Sequence, residues 1–274
     1  CFMLKKNDSS LLIRIASVLF ILLSGWWLYL QINKSSDYSI QNQIFSSVYG
    51  ILALFGGISG FWIAKKWGGF KSVMGKSITF FSFGLVGQFF GQLVYSFYVY
   101  FFKIEIPYPS YGDIGYFSTI IFYILGLLYL AKASGVIFKL KNVKHKIIAI
   151  FIPVIMLIFS YWLYLKGYQY DWKNPLKILL DFGYPLGDTV YIAVTLIIYF
   201  FSKGILGGIM KPKILFLLFA LFIQFLADYS FLYITYYGNI YPGGINDFVC
   251  LLAYFLMTIS LVQLLNAYHE IKKL

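Results

Sequence analysis

Residues 215–254 read LFLLFALFIQFLADYSFLYITYYGNIYPGGINDFVCLLAY, and the reading of this stretch decides the fold. It holds an apolar helix carrying Gln224 and Asp228, an aromatic turn from Tyr236 to Gly244, and Asp247 opening a second apolar helix. Two apolar segments of roughly 20 residues joined by a short turn form a membrane hairpin. A carboxylate within such a segment is costly in lipid, so Asp228 must face a protein interior or a wet cavity, and it marks a candidate site.

The rest of the chain repeats the pattern. Hydrophobic residues make up 61% of the sequence, aromatic residues 22% and charged residues 12%, which places it outside the soluble globular class. Apolar runs fall at about 11–31, 44–64, 78–102, 114–133, 147–165, 186–202, 213–236 and 247–267. They predict an all-α polytopic membrane protein with eight transmembrane helices and almost no chain left for a soluble domain. The net charge of +12 resides in lysines of short loops between these runs, which argues for membrane topology and against a nucleic-acid partner. Cys1 and Cys250 give neither a disulfide framework nor metal-ligand spacing. A first residue other than Met leads us to expect a fragment or a trimmed start. Leu11–Leu30 is too long for a signal-peptide core and reads as a retained first helix.

Charge sorts by side. Of the 22 basic residues, 17 fall in the N-terminal segment, in the loops at 65–76, 132–146 and 203–213, or at the C-terminus. Lys34, Lys103, Lys166, Lys173 and Lys177 fall opposite. The positive-inside rule then puts both termini in the cytoplasm of a cell membrane. Asp37, Glu105, Asp113, Asp171, Asp181, Asp188, Asp228 and Asp247 all belong to the other, outer side or the outer half of a helix.

The halves resemble each other. Trp26-Trp27-Leu28-Tyr29-Leu30 recurs as Tyr161-Trp162-Leu163-Tyr164-Leu165, and Tyr49-Gly50 meets Tyr184-Pro185 at the same offset of 135. Gln88 and Gln92 meet Gln224 and Asp228 at 136, and Asp113 meets Asp247 at 134. Four helices per half is an even number, so residues 1–135 and 136–274 are expected to form two parallel four-helix repeats related by an axis along the membrane normal. Gly56 and Gly60, and Gly84, Gly87 and Gly91, have the spacing of close helix packing.

Gln88, Gln92 and Tyr95 form one polar stripe and Gln224, Asp228 and Phe231 trace the matching one. We expect Asp228, Gln224, Gln88 and Gln92 to line an outward-opening pocket whose mouth carries Asp113, Asp188 and Asp247 with Tyr116 and Tyr191. Each of the three mouth acids follows Pro or Gly at an expected helix start, where an acid also caps free N–H groups. Asn174-Pro175 suggests that Leu176–Asp181 is a short helix on the outer surface, ended by a Gly183-Tyr184-Pro185 turn. Asp228, mid-helix, needs a partner: a lysine, a hydroxyl, a cation or a proton.

Pro109-Ser110-x-x-Asp113-x-x-Tyr116 and Tyr184-Pro185-x-Gly187-Asp188-x-x-Tyr191 resemble motifs of the multi-pass sensory membrane regions that precede diguanylate cyclase and histidine kinase domains in prokaryotes. That resemblance implies an extracytoplasmic or intramembrane ligand whose signal passes to the cytoplasm. The sequence departs from that pattern by ending at Leu274 without an output domain, which leaves as expectations a free-standing protein, a truncated one or one with a separate cytoplasmic signalling protein as partner. The competing reading is a small-solute or cation/proton-coupled transporter, although no matched Pro or Gly interruption is evident, Pro153 aside. A membrane-embedded lipid-modifying enzyme rests on helix number alone. His145 and His269 sit among lysines on the expected cytoplasmic side, which separates them from the acids and excludes a histidine-rich zinc site there. Calcium would need six or more converging oxygens. The sequence names no metal and no cofactor.

Overall fold

Helices begin where the side chains can cap them. Ser39 accepts from the Asn42 N–H and Ser72 from the Gly75 N–H at 2.8 Å, so α2 (Ile40–Val48) and α4 (Val73–Ser96) start with satisfied donors. The computed structural model describes residues 7–33, 39–104, 106–136, 143–202, 208–238 and 241–273. Its other helices are α1 (Asn7–Ile32), α3 (Ile51–Lys66), α5 (Gly112–Ala133), α6 (Val143–Ser160), α7 (Pro175–Ser202), α8 (Met210–Tyr237) and α9 (Ile245–Ile271). No strand occurs among the described residues. With α2 and α3 counted as one crossing, eight helical segments are long and apolar enough to span a membrane. Cys1, Lys5, Lys6, Lys34, Asp37, Glu105, Lys139, Lys141, Lys203, Asn239 and Ile240, used above for topology or the hairpin turn, lie outside the described residues.

Six crossings close into a ring. α3 packs on α4, α4 on α5, α5 on α7, α7 on α8, α8 on α9, and α9 returns to α3. α1 lies outside against α9, and α6 outside against α7. Only 11% of the apolar window of α1 and of α6 is buried, against 67% for α9, so both are peripheral. The close approach of α4 and α5 depends on glycine. A Cβ at Gly84 would stand 2.2 Å from the Tyr123 ring, one at Gly91 2.6 Å from the Tyr116 ring, and one at Gly115 2.5 Å from the Gly87 carbonyl. These contacts lay both tyrosines across α4, toward the ring interior.

Two expectations are corrected. The segment expected as a surface helix and turn is part of one continuous helix, α7, which runs through Pro185. Ser160 Oγ, Thr189 Oγ1 and Tyr229 Oη all donate to the Pro185 carbonyl, which ties α7 to α6 and α8 at the proline. Asp188 is therefore not a helix-start acid; it lies 13 residues beyond Pro175. The second expected crossing is broken at Tyr49–Gly50 into α2 and α3. In an unbroken helix the Ser46 carbonyl would accept from Gly50; here it accepts from Gln92 Nε2, whose Cγ packs 3.0 Å from where a Gly50 Cβ would be. The chain thus breaks at Tyr49-Gly50 but runs on as helix at Tyr184-Pro185, although the two positions correspond at the offset of 135.

Candidate functional site

Five of the described acids fall into three groups, which differ in how their charge is met. At the end of the bundle opposite the termini, called the far end here, Asp181 accepts from Tyr108 Oη at 2.8 Å, Tyr168 Oη at 2.6 Å and Lys177 Nζ at 2.7 Å. Burial of its hydroxyl end and the bond to Asp181 hold the Tyr108 phenol above the ordinary tyrosine value, although 47% of the residue is exposed. This rim acid has a donor on each oxygen and an ammonium beside it.

The second group comprises the two far-end acids in first helical turns, Asp113 of α5 and Asp247 of α9. Asp113 accepts through Oδ2 from the Ser110 N–H at 2.7 Å and Ser110 Oγ at 3.2 Å, the capping arrangement its spacing suggested, and through Oδ1 from Tyr184 Oη at 2.6 Å. Asp247 accepts from the Gly243 N–H at 2.8 Å and from Ser46 Oγ, and the Tyr49 hydroxyl approaches the same carboxyl. The Gly243 carbonyl is held from α1 by Trp27 Nε1 at 3.0 Å and Gln31 Nε2 at 2.9 Å. The two contacts are reciprocal: Tyr184 of the second half reaches Asp113 of the first, and Tyr49 of the first half reaches Asp247 of the second.

The third group sits deeper, between α5, α7, α8 and α9. Gln224 and Asp228 stand one turn apart on α8, with Gln224 Nε2 donating to Asp228 Oδ1 at 2.9 Å. Tyr191 of α7 donates to Asp228 Oδ2 at 3.2 Å. Asp188, three residues before Tyr191, lies within electrostatic reach of Asp228. Tyr123 of α5 meets the Tyr191 ring edge-on at 6.1 Å. Counted from the far ends of α7 and α8 at about 1.5 Å per residue, the two carboxyls lie roughly 14–20 Å deep. Asp188, Tyr123, Tyr191 and Gln224 are no more than 2% exposed. Asp228 is hemmed in by protein and half-buried.

Three buried atoms of this group have no partner: Asp188 Oδ1, Gln224 Oε1 and the Tyr123 hydroxyl. No lysine, arginine or histidine is among the described partners of Asp188 or Asp228. No set of three or more His, Cys, Asp or Glu side chains among the described residues is arranged to hold a metal ion.

The sequence-predicted residues are thus distributed unevenly. Asp228, Gln224, Tyr191 and Asp188 come together directly. Gln88 joins through Tyr254, whose hydroxyl donates to Gln88 Oε1 at 3.1 Å, and Tyr254 and Cys250 lie between Asp228 and Tyr116. Tyr116 lies within reach of both Asp113 and Asp247. Gln92 is spent on the Ser46 carbonyl. Residues missed at first are Tyr123, Tyr254, Cys250, Tyr49 and Tyr184. Tyr123 is seven residues after Tyr116 and Tyr254 seven after Asp247, a two-turn spacing on one helix face that could have found them. A shallow hollow of about 410 Å³ lies elsewhere, lined by Trp162, Leu163, Lys166, Tyr233 and Tyr237.

Comparison with models of protein families, with curated proteins and with solved structures finds no match.

Proposed function

We propose that the chain is a sensory or ligand-binding membrane module, with its ligand held in the polar interior of the helix ring and its far end on the extracytoplasmic side. The observation that carries this reading is the convergence of Asp188, Asp228, Gln224, Tyr123 and Tyr191 from three helices with polar atoms left unpartnered. Buried polar groups in native proteins are almost always paired, so such a set favours a ligand. Residues 1–135 and 136–274 act as two parallel four-span units. The reciprocal Tyr–Asp contacts and the order of neighbours around the ring, which exchange of the halves leaves unchanged, support that arrangement. Toward the termini the ring is close-packed. Cβ atoms at Gly56 and Gly60 would stand 2.2 Å from Thr258 Oγ1 and Ser82 Oγ, and Ser77 Oγ donates to the Gly126 carbonyl at 2.8 Å. A site open toward one end and closed toward the other suits binding and signalling to a separate cytoplasmic protein.

A transporter is the second reading, favoured by the break at Tyr49–Gly50 and the proline within α7 at the corresponding position, since a broken helix and a proline at matched places of two repeats point to a transport site. Hydrogen exchange on the full chain in nanodiscs tests the sensory reading without knowledge of the ligand. Asp188→Asn and Asp228→Asn should change protection at residues 67–72 and 133–136, at the terminal end. Changes confined to α7 and α8 would refute signalling, and net solute accumulation by proteoliposomes would replace it with transport.

A further inference from the structure

Asp228 and Asp188 are not equivalent. Both oxygens of Asp228 accept a hydrogen bond, from Gln224 and Tyr191, so its charge is met by oriented neutral donors. Asp188, 2% exposed, has Oδ1 with no partner, and the described neighbours offer it no positive charge. Beside Asp228, which lies within electrostatic reach of Asp188, are the unpartnered Gln224 Oε1, whose amide is fixed by its bond to Asp228, and the unpartnered Tyr123 hydroxyl, whose ring lies over Gly84. Two carboxylates with no cation among their described partners leave the group short of positive charge and rich in acceptor oxygens. A single cation meets both needs at once. A divalent hard cation normally takes six to eight oxygens, several of them carboxylate, and the two carboxylates here are too few. Thiolate and imidazole ligands, which softer metals select, do not converge among the described residues.

We propose that Asp188 and Asp228 bind one monovalent cation between α5, α7 and α8, an alkali-metal ion or the protonated amine of a small ligand, with Gln224 Oε1 and the Tyr123 hydroxyl oxygen completing an all-oxygen shell. The proposal rests on the ring interior being the ligand site and names the chemical class of what occupies it. The two carboxylates supply attraction, and the two neutral oxygens set the size of the shell.

The test uses purified full-length protein in nanodiscs, with sodium, potassium and methylammonium chloride compared against choline chloride at equal ionic strength between pH 5.5 and 8.5. Choline carries the same charge but has no N–H donor and exceeds a shell of this size. At a hundredfold excess over its dissociation constant, one of the three cations should raise the melting temperature by about 5–10 °C, saturably. Preference for sodium or potassium identifies a metal ion, and preference for methylammonium an amine. Asp188→Asn should abolish the shift, and Gln224→Ala should weaken the apparent affinity about tenfold. Behaviour identical to choline for all three cations overturns the proposal, as does a shift that survives in both Asp188→Asn and Asp228→Asn. Stability that depends on pH but not on the cation also overturns it, because a proton then fills the role. The wild-type comparison with choline decides the matter even if the variants fold poorly. Cation binding without altered protection at the terminal end would leave this proposal standing and remove the sensory reading. Altered protection in the variants without cation binding would do the reverse.

Discussion

The contact between Tyr184 and Asp113 joins α7 to the start of α5, and it can be removed almost in isolation. Tyr184→Phe deletes only the hydroxyl; the ring keeps its edge-on contact with Phe117 at 5.7 Å. The lost bond is short, 2.6 Å, and its acceptor is a carboxylate. Bonds to charged groups contribute about 1.5–3 kcal/mol. Because Asp113 Oδ2 keeps both Ser110 donors and only Oδ1 is orphaned, the lower part of that range applies, about 1.5–2 kcal/mol. The assay is reversible unfolding of the full chain in mixed SDS and dodecylmaltoside micelles, run as a double-mutant cycle of Tyr184→Phe and Asp113→Asn. The cycle should give a coupling energy of about 1 kcal/mol or more. Tyr49→Phe should couple to Asp247→Asn with the same sign but less strongly, since Asp247 retains Ser46 and the Gly243 N–H. A coupling near zero for the Tyr184–Asp113 pair, with Tyr184→Phe costing under about 0.5 kcal/mol, would mean that the reciprocal contacts do not tie the halves together.

Gly84→Ala should destabilise by about 1–3 kcal/mol in the same assay, because its Cβ would stand 2.2 Å from the Tyr123 ring, and a neutral result would refute the close α4–α5 packing. Gly25→Ala, in α1 with nothing within 4 Å, should instead gain up to about 1 kcal/mol; a loss would show that this face of α1 is covered. With Cys1 and Cys250 replaced, single cysteines at Tyr111 (72% exposed) and Phe70 (58% exposed) should react differently with an impermeant maleimide on intact cells, Tyr111→Cys labelling and Phe70→Cys not. The opposite pattern would invert the orientation. At alkaline pH the sign follows from the raised Tyr108 phenol: from roughly pH 10 upward the unfolded chain loses a proton that the folded chain retains. Stability should then fall as pH rises through that window and stay unaffected below it, and Tyr108→Phe should flatten the slope between pH 9 and 11.

The crossings were legible because lipid demands long apolar runs and leaves few alternatives, and Asp228 stood out for the same reason. The route of the chain near Tyr49 and Pro185 was not. A proline two residues after a glycine normally ends a helix, and the contacts that hold α7 at Pro185 come from Ser160, 25 residues before it, and Tyr229, 44 after it, as well as from Thr189 within α7. The break after Val48 depends in the same way on Gln92, a residue of another helix. Asp188 was consequently read as a rim acid when it belongs to the interior. The tyrosine partners of the acids were visible only as aromatic residues. The sequence carries no local mark that separates a tyrosine of an interfacial belt from one that donates to a carboxylate 71 residues away, as Tyr184 does to Asp113.

The division of labour among the acids follows from the kind of donor each one meets. At the rim, Asp181 has an ammonium at 2.7 Å, and its charge is cancelled by Lys177. In the interior the partners of the carboxylates are tyrosines and a glutamine, which stabilise negative charge by hydrogen bonds but do not cancel it. An interior lysine would have balanced the charge permanently and left a ligand nothing to add. Neutral donors keep the ring interior electronegative, so a cation entering from the far end gains most where the lysine is absent. A hydroxyl can also turn away from a carboxylate as a ligand arrives and take a neighbouring acceptor, whereas a displaced ammonium would remain as a buried unpaired charge. Placing a lysine at the Tyr123 position tests this reasoning. Tyr123→Lys loses the ring packed over Gly84 and against Tyr191 and so lowers the stability of the unliganded protein, but its ammonium meets the charge of Asp228 and should remove cation-dependent stabilisation altogether. A variant that folds and still gains stability from the preferred cation would show that the unbalanced carboxylate charge is not what draws the cation in.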